Sequence, residues 1–228
     1  MKKYEIFLFD ADGTLYDYDK AEENALKLMF ETCGFAYDAD VRAKYREING
    51  QCWKAFEKGE LAKEVLTTLR FERLFADMGV VHDAKDFNDK YLFELGKGSF
   101  LIDGALEICR AIVASGKQIF IVTNGVASVQ EARVKYSSLN PYISDTFVSE
   151  EIGFQKPDIR YFNHVFSHIP QIEKDKILLI GDSLSADIAG GNIVGVDTCW
   201  FNEAGSPNKT NAKPTYEINR LEGLWKFI

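Results

Sequence analysis

The chain has 228 residues, 46% of them hydrophobic, and a formal net charge of −8 at pH 7. This length allows one large domain, or one domain with a sizeable insertion, around a proper core. An acidic surface repels nucleic-acid polymers and anionic membranes, so neither is an expected partner. The four cysteines are scattered without a CxxC pair, which predicts reduced thiols in a cytoplasmic protein rather than disulfides or a zinc site.

The first predicted element is a buried strand that ends in two carboxylates. The apolar run Ile6–Phe9 is followed by Asp10 and Asp12 and then by Gly-Thr. Burying a carboxylate costs several kcal/mol unless a nearby group compensates its charge. Side chains two residues apart share one face of a strand. The pair therefore predicts a bound cation, a reacting group or both, with one carboxylate as nucleophile and the other as proton donor.

The region 18–96 differs from the rest of the chain, because it contains no convincing strand. Amphipathic periodicity predicts four helices there, at 20–32, 38–49, 59–78 and 83–95. A bundle inserted after the first strand, between flexible segments, has the organisation of a lid over a polar site. A helical domain with no gating role is the alternative. We expect 18–96 to form a helical cap domain, and 1–17 with 97–228 to form an α/β core.

Apolar, β-branched runs alternate with helical periodicity in the second half of the chain. The runs at 118–122, 176–180 and 196–201 predict strands, 104–115 predicts a helix, and a last short strand is expected at 216–218. This alternation is typical of a parallel sheet covered by helices, in which ligands bind beyond the carboxyl ends of the strands. The polar residues that follow the strands should therefore collect at one edge.

Four polar motifs follow one another along the chain, and each has an ordinary structural interpretation on its own. DADGT could form a turn, and Thr123 and Asn124 could cap a helix. Lys156 could be a solvated surface lysine, and Asp182 or Ser183 could cap another helix. Their order at successive strand ends nevertheless favours one shared site.

Taken together, these motifs resemble those of the haloacid dehalogenase-like (HAD) hydrolase superfamily, along the whole chain. The matching segments are DADGT at 10–14, Thr123 in IVTNG, Lys156 in FQKPD, and GDSLSAD at 181–187. The resemblance implies an α/β fold, a Rossmann-like three-layer sandwich with a central parallel sheet. It also identifies the inserted α-helical bundle as a type 1 cap.

The resemblance further implies a phosphomonoester hydrolase that works through an aspartyl phosphate. Asp10 would attack phosphorus, and Asp12 would protonate the leaving oxygen and then activate a water molecule. Thr123, Asn124 and Lys156 would bind the phosphoryl oxygens together with Asp10. Because relatives that cleave carbon–halogen bonds usually lack the second aspartate, Asp12 favours phosphoryl transfer over dehalogenation.

The same resemblance implies Mg²⁺ as the cofactor. The ion would be held by the carboxylates of Asp10 and Asp182 and by the backbone carbonyl of Asp12, with Asp187 as an outer or water-mediated ligand. Carboxylates packed without a cation would raise one another's pKa. An oxygen-only donor set with no His or Cys favours Mg²⁺ over zinc.

The substrate is expected to be a small phosphorylated compound. The segments 70–79, 148–158 and 181–202 are similar to the YjjG/YfnB-type pyrimidine 5′-nucleotidases, which implies hydrolysis of (deoxy)pyrimidine nucleoside monophosphates. A phosphoglycolate or sugar-phosphate phosphatase and a sugar phosphomutase are alternatives on the same core. A phosphate-binding regulator without turnover is a third class, although it would not need both Asp10 and Asp12. Nothing in the sequence selects between a monomer and a homodimer.

Overall fold

A single parallel sheet contains six strands of the described part of the chain, in the order β3-β2-β1-β4-β5-β6. The computed structural model describes residues 4–228. The strands are β1 (Ile6–Phe9), β2 (Gln118–Thr123), β3 (Asp145–Val148), β4 (Ile177–Gly181), β5 (Asp197–Phe201) and β6 (Tyr216–Ile218). The predicted α/β fold with a central parallel sheet is thus confirmed.

The chain divides into two units, and the second is helical. One unit contains the residues up to Tyr18 together with Ser99–Ile228, and the other is Asp19–Gly98. The helices between β1 and β2 are α1 (Tyr18–Cys33), α2 (Ala39–Glu57), α3 (Lys63–Met78), α4 (Ala84–Gly96) and α5 (Ala105–Ala114). The helices that follow are α6 (Ala127–Tyr136), α7 (Ser149–Ile152), α8 (Ile159–His168) and α9 (Ala189–Val194).

Helices cover both faces of the sheet, because side chains alternate along each buried strand. Phe9 of β1 belongs to a buried cluster with Ile108 of α5. Its neighbour Leu8 belongs to a second buried cluster with Phe162 of α8. The sheet is therefore the middle layer of three, as expected for a parallel sheet whose strands are apolar on both sides.

The helical unit has an aromatic centre. The Phe71 ring lies 4.8 Å from that of Phe87 and 5.4 Å from that of Tyr45, between ring centroids, and all three residues are buried. Aromatic side chains bury large areas, so they stabilise a bundle of this size effectively. None of the helices between residues 4 and 228 combines the length and the apolar character needed to cross a bilayer.

Two details of the predicted elements are wrong. The second helix continues to Glu57 rather than ending at 49, and the third begins at Lys63 rather than at 59. Gly59 has a φ of +74°, a left-handed conformation that glycine adopts without a steric penalty. Its N–H donates to the carbonyl of Phe56 at 2.8 Å, so this glycine terminates α2 instead of starting α3.

The carboxyl end of β1 lies between the corresponding ends of β2 and β4. Phe9 is paired with Ile121 on one side and with Ile180 on the other. The backbone N–H of Asp10 donates to the carbonyl of Ile180 at 2.8 Å, which continues the pairing by one residue. The polar residues after these strands consequently meet at one edge, where parallel sheets bind ligands.

Candidate active site

A buried lysine joins two of the predicted acidic residues. Lys156 is 1% exposed, and its Nζ donates to Asp10 Oδ1 at 2.6 Å, to Asp187 Oδ1 at 2.7 Å and to the carbonyl of Val122 at 2.7 Å. All three hydrogens of the ammonium group are therefore used. The alternative of a solvated surface lysine is excluded, since a lysine is almost never buried without charged partners.

The charges around Lys156 shift one another's pKa. Burial alone would lower the pKa of Lys156, but the adjacent carboxylates of Asp10 and Asp187 outweigh it and raise that pKa. Burial raises the pKa of Asp10 well above its usual range, although Lys156 acts in the opposite direction. Lys156 therefore does not offset the burial and the neighbouring carboxylates that raise the pKa of Asp10.

Three carboxylates lie close together in the described structure. Oxygens of Asp10, Asp182 and Asp187 lie within 4.8 Å of one another. Asp182 is exposed at the edge of this group, and partial desolvation together with the charge of Asp187 raises its pKa to about 7. Hard carboxylate oxygens are the donors that Mg²⁺ prefers. The group therefore fits a divalent cation of that class, which would remove the repulsion.

Local backbone structure brings these carboxylates together. A Cβ on Gly181 would lie 2.2 Å from Asp187 Cγ, so only glycine at the end of β4 allows this approach. Asp187 lies in a π-helical turn, Leu184–Ile188, and its Oδ2 accepts a hydrogen bond from the N–H of Ser183 at 3.1 Å. Ser183, rather than Asp182, caps that turn through the N–H of Ala186.

The DADGT segment passes next to Asp182. Gly13 has a φ of +82°, and a Cβ there would lie 2.8 Å from Asp182 Oδ2. The backbone carbonyl of Asp182 accepts a hydrogen bond from the Trp200 indole at 2.9 Å, which fixes the chain after β4. The structure therefore places Asp182 beside the segment that carries Asp10 and Asp12, and a metal-ligand role for the Asp12 carbonyl stays a prediction.

Thr123 and Asn124 contact the protein rather than capping α6. The Oγ1 of Thr123 accepts from the N–H of Gly125 at 3.0 Å, and the N-cap residue of α6 is Val126. The Asn124 amide forms two hydrogen bonds with the backbone of Lys156, both of 2.9 Å. Asn124 thereby holds the segment that carries Lys156. Direct contact of Thr123 or Asn124 with a phosphoryl group stays a prediction.

Two residues that the sequence analysis did not single out contact Asp12. Arg133 forms an ion pair with Asp12 Oδ1, and Gln130 Nε2 donates to Asp12 Oδ2 at 2.5 Å. Both residues lie on α6 and are fully buried. Polar residues three apart on a helix usually indicate a solvated face. Their burial depends on tertiary packing, so the sequence carried no signal for this contact.

Comparison with known proteins places the chain in a family. A model of the haloacid dehalogenase-like hydrolases matches residues 4–195. The HAD-hydrolase YfnB of Bacillus subtilis is 42% identical over 228 residues, which cover 100% of this chain and 97% of YfnB. The pyrimidine 5′-nucleotidase PynA of Streptococcus pneumoniae is 35% identical over 221 residues, 97% of this chain and 93% of PynA.

A solved structure agrees with these sequence relatives. The magnesium-bound crystal structure of the YfnB hydrolase from Bacillus subtilis superposes with a TM-score of 0.92 at 41% identity, and the match covers 99% of this chain and 98% of that one. The fold, the family model and the relatives all agree with the resemblance that the four motifs indicated. The chain is therefore an enzyme that belongs to the haloacid dehalogenase-like hydrolase family.

Proposed function

We propose that the protein is a Mg²⁺-dependent phosphomonoesterase that forms an aspartyl phosphate on Asp10 and acts on pyrimidine nucleoside monophosphates. The observation that carries this proposal is the arrangement around Asp10. Lys156 holds its Oδ1, and the carboxylates of Asp182 and Asp187 lie beside it. These carboxylates fit Mg²⁺, and the ion together with Lys156 would supply the positive charge that stabilises negative charge on a phosphoryl group.

Asp10 is the proposed nucleophile. Because Lys156 holds Oδ1, the other oxygen of Asp10 would attack phosphorus, forming the aspartyl phosphate while the ester P–O bond breaks. When bound, Mg²⁺ would supply positive charge that keeps the carboxylates ionised and polarises the phosphoryl group. Lys156 adds a fixed positive charge beside the reacting oxygen.

Asp12 is the proposed proton carrier. Its side chain is 26% exposed, unlike the buried Lys156 and Asp187, so it can exchange protons with substrate and solvent. Protonated Asp12 would give its proton to the leaving alkoxide. The resulting carboxylate would then remove a proton from the water that attacks the aspartyl phosphate, which releases inorganic phosphate and restores Asp10.

Recognition of the leaving group is assigned to the helical unit, Asp19–Gly98. The residues proposed above act only on the phosphoryl group and its ester oxygen, so they would accept any monoester. Discrimination must come from elsewhere in the chain. The relative PynA, named a pyrimidine 5′-nucleotidase, matches across 97% of this chain, including the helical unit, and this supports the pyrimidine nucleotide as substrate.

A cytoplasmic location is also part of the proposal. The described structure contains four free cysteines, Cys33, Cys52, Cys109 and Cys199, and no disulfide joins any of them. Unpaired thiols are typical of proteins that remain in a reducing compartment.

The direct test is inorganic phosphate release with Mg²⁺ from a panel of monoesters, with Asp10→Asn as the blank. The panel comprises dUMP, dTMP, UMP, purine monophosphates, phosphoglycolate and hexose phosphates. Preference for pyrimidine monophosphates supports the proposal. Preference for phosphoglycolate or a sugar phosphate would keep the chemistry and overturn the substrate. Absence of release from every compound, with and without a sugar bisphosphate activator, would overturn the phosphatase itself.

A further inference from the structure

We propose that Gln130 and Arg133 are positioning residues that hold the Asp12 carboxylate in one orientation for proton transfer. The inference rests on the proposed role of Asp12 as the proton carrier. Gln130 binds one carboxylate oxygen and Arg133 binds the other. We call these two residues the Asp12 clamp.

The Asp12 clamp determines which part of the carboxylate remains available. Each carboxylate oxygen can accept about two hydrogen bonds. The described contacts use one position on Oδ1 and one on Oδ2. The Asp12 side chain as a whole is 26% exposed, whereas that of Arg133 is fully buried. The remaining acceptor position on each oxygen is therefore left for a proton, and turning the carboxylate out of its present plane would break both contacts.

The clamp also keeps Asp12 separate from the metal-binding carboxylates. Asp12 lies two residues from Asp10, yet the close group of carboxylate oxygens consists of Asp10, Asp182 and Asp187. A fourth carboxylate free to rotate could join that group and coordinate a cation. An aspartate bound to a metal through its side chain is a poor proton carrier, so fixing it elsewhere preserves its function.

Both residues of the clamp are packed against neighbouring groups. The Arg133 guanidinium lies over the Tyr16 ring, 5.5 Å from the centroid. A Cβ on Gly125 would lie 2.3 Å from Gln130 Nε2, so the glycine of the TNG motif leaves the space that Gln130 occupies. Gly125 thereby allows Gln130 to reach Asp12.

A purely structural ion pair explains these contacts less well. Removing an arginine from water is costly, and a buried ion pair by itself is weak evidence of stabilisation. The Nε and Nη2 atoms of Arg133 and the Oε1 atom of Gln130 are buried without a hydrogen-bond partner in the described residues. A side chain kept for stability would be expected to satisfy these groups. The hydrogen bonds that Gln130 and Arg133 do form go to the Asp12 carboxylate.

Comparing two leaving groups tests the proposal. p-Nitrophenyl phosphate releases a phenolate that needs no proton, whereas UMP releases an alkoxide that does. The kcat/KM value reports steps up to departure of the leaving group, and kcat also includes hydrolysis of the aspartyl phosphate. The variants are Arg133→Met and, because loss of a buried arginine can disturb folding, Gln130→Met. Thermal unfolding of each variant shows whether it is folded at the assay temperature.

We expect kcat/KM for UMP to fall about 10- to 100-fold in Arg133→Met and less in Gln130→Met, since general acid–base catalysis contributes about 10²- to 10⁴-fold. With p-nitrophenyl phosphate, kcat/KM should stay within about threefold, while kcat falls and a burst of p-nitrophenol precedes the steady state. Arg133→Lys should recover part of the loss, because it restores the charge but not the planar geometry.

Matched controls separate positioning from a general disturbance. Lys135→Met removes an exposed cation from the same helix and should change neither substrate's kinetics. In an Asp12→Asn background, Arg133→Met should add little further loss, because both changes act on the same proton transfer. Equal losses of kcat/KM on both substrates in folded Arg133→Met and Gln130→Met, or additive losses with Asp12→Asn, would overturn the clamp.

The same assays distinguish this failure from failure of the proposed function. A wild-type protein that releases no phosphate from either ester overturns the proposed function, and the clamp with it. If the wild type is active and the variants lose no more kcat/KM on UMP than on p-nitrophenyl phosphate, only the clamp is overturned.

Discussion

Two buried basic residues, one in each unit of the molecule, are neutralised in different ways. In the helical unit, Arg70 donates to the carbonyl of Thr67 at 3.1 Å and to the side-chain oxygens of Asn49 at 3.1 Å and Asn88 at 3.2 Å. Asn49 in turn donates to Glu22 at 3.2 Å. The described bonds thus link one cation to one anion through a neutral amide.

The site around Lys156 is not balanced in this way. Asp10, Asp12, Asp182 and Asp187 contribute four carboxylates, whereas Lys156 and Arg133 contribute two cations. In the described bonds, the three acceptors of Arg70 are neutral, whereas two of the three acceptors of Lys156 are carboxylates. A network whose charges are paired can stabilise a fold on its own, but an excess of closely spaced negative charge favours a bound cation or protonation. We therefore assign a structural role to the cluster around Arg70 and a functional role to the cluster around Lys156.

The largest expected effect comes from the nucleophile. Asp10→Asn should reduce phosphate release roughly 10⁴-fold or more, because the aspartyl phosphate cannot form. The variant should remain folded, since the change removes one excess carboxylate from the site. Asp89→Asn, at an exposed aspartate paired with Lys85, is the matched control and should keep full activity. Substantial turnover by Asp10→Asn would contradict the covalent mechanism.

The balanced cluster should respond in stability rather than in chemistry. Arg70→Met leaves the amides of Asn49 and Asn88 without a buried donor and should lower the free energy of unfolding by roughly 3 kcal/mol. Chemical denaturation measures this change. The folded fraction should still hydrolyse p-nitrophenyl phosphate at a rate within about threefold of the wild type. If Arg70→Met greatly slowed hydrolysis but left the free energy of unfolding unchanged, the assignment of a structural role to the Arg70 cluster would be wrong.

Mg²⁺ should stabilise only the unbalanced site. At a concentration 100 times its dissociation constant, a ligand stabilises the folded state by about 2.7 kcal/mol. We therefore expect Mg²⁺ to raise the unfolding temperature of the wild type after chelator treatment, and to have a much smaller effect on Asp182→Asn. Asp89→Asn should respond like the wild type. Chelation should also abolish phosphate release, and an equal Mg²⁺ shift in all three proteins would place the ion elsewhere.

The smallest predicted effect is a pH dependence in the metal-free protein. The pKa of Asp182 is raised from 3.8 to about 7, so the folded state binds more protons than the unfolded state between about pH 4 and pH 7. Stability should therefore fall as the pH rises through this window. Because Asp182 is exposed and screened by solvent, we expect about 1 kcal/mol. The free energy of unfolding of the wild type, minus that of Asp182→Asn, should decrease by this amount between about pH 4 and pH 7. An increase across that window would contradict the prediction.

The sequence predicted those parts of the fold that depend on local pattern. Buried strands such as β1 and β4 are short apolar runs ending in polar residues, and periodicity located the helices of the inserted unit. The strand β3 was missed, because only Phe147 and Val148 of its four residues are buried, and Asp145 is exposed. An edge strand of this kind has too little apolar pattern to detect.

For the site, spacing and motif order identified the residues after the strands, because parallel topology brings strand ends together. The Asp12 clamp could not be predicted in the same way. Gln130 and Arg133 lie seven and ten positions after Thr123 on a helix with hardly any apolar face. Their burial follows from how α6 packs on the core, and that packing is set by contacts distant in sequence.

The most direct test of the central hypothesis is mass spectrometry of the acid-quenched enzyme during turnover of UMP with Mg²⁺. We predict that the peptide containing Asp10 gains the mass of one phosphoryl group, and that the gain disappears with chelator or in Asp10→Asn. Phosphate release by the wild type with no modified Asp10 peptide under single-turnover conditions, or with the phosphoryl group on another residue, would contradict the account of Asp10 as the nucleophile in a site of excess negative charge.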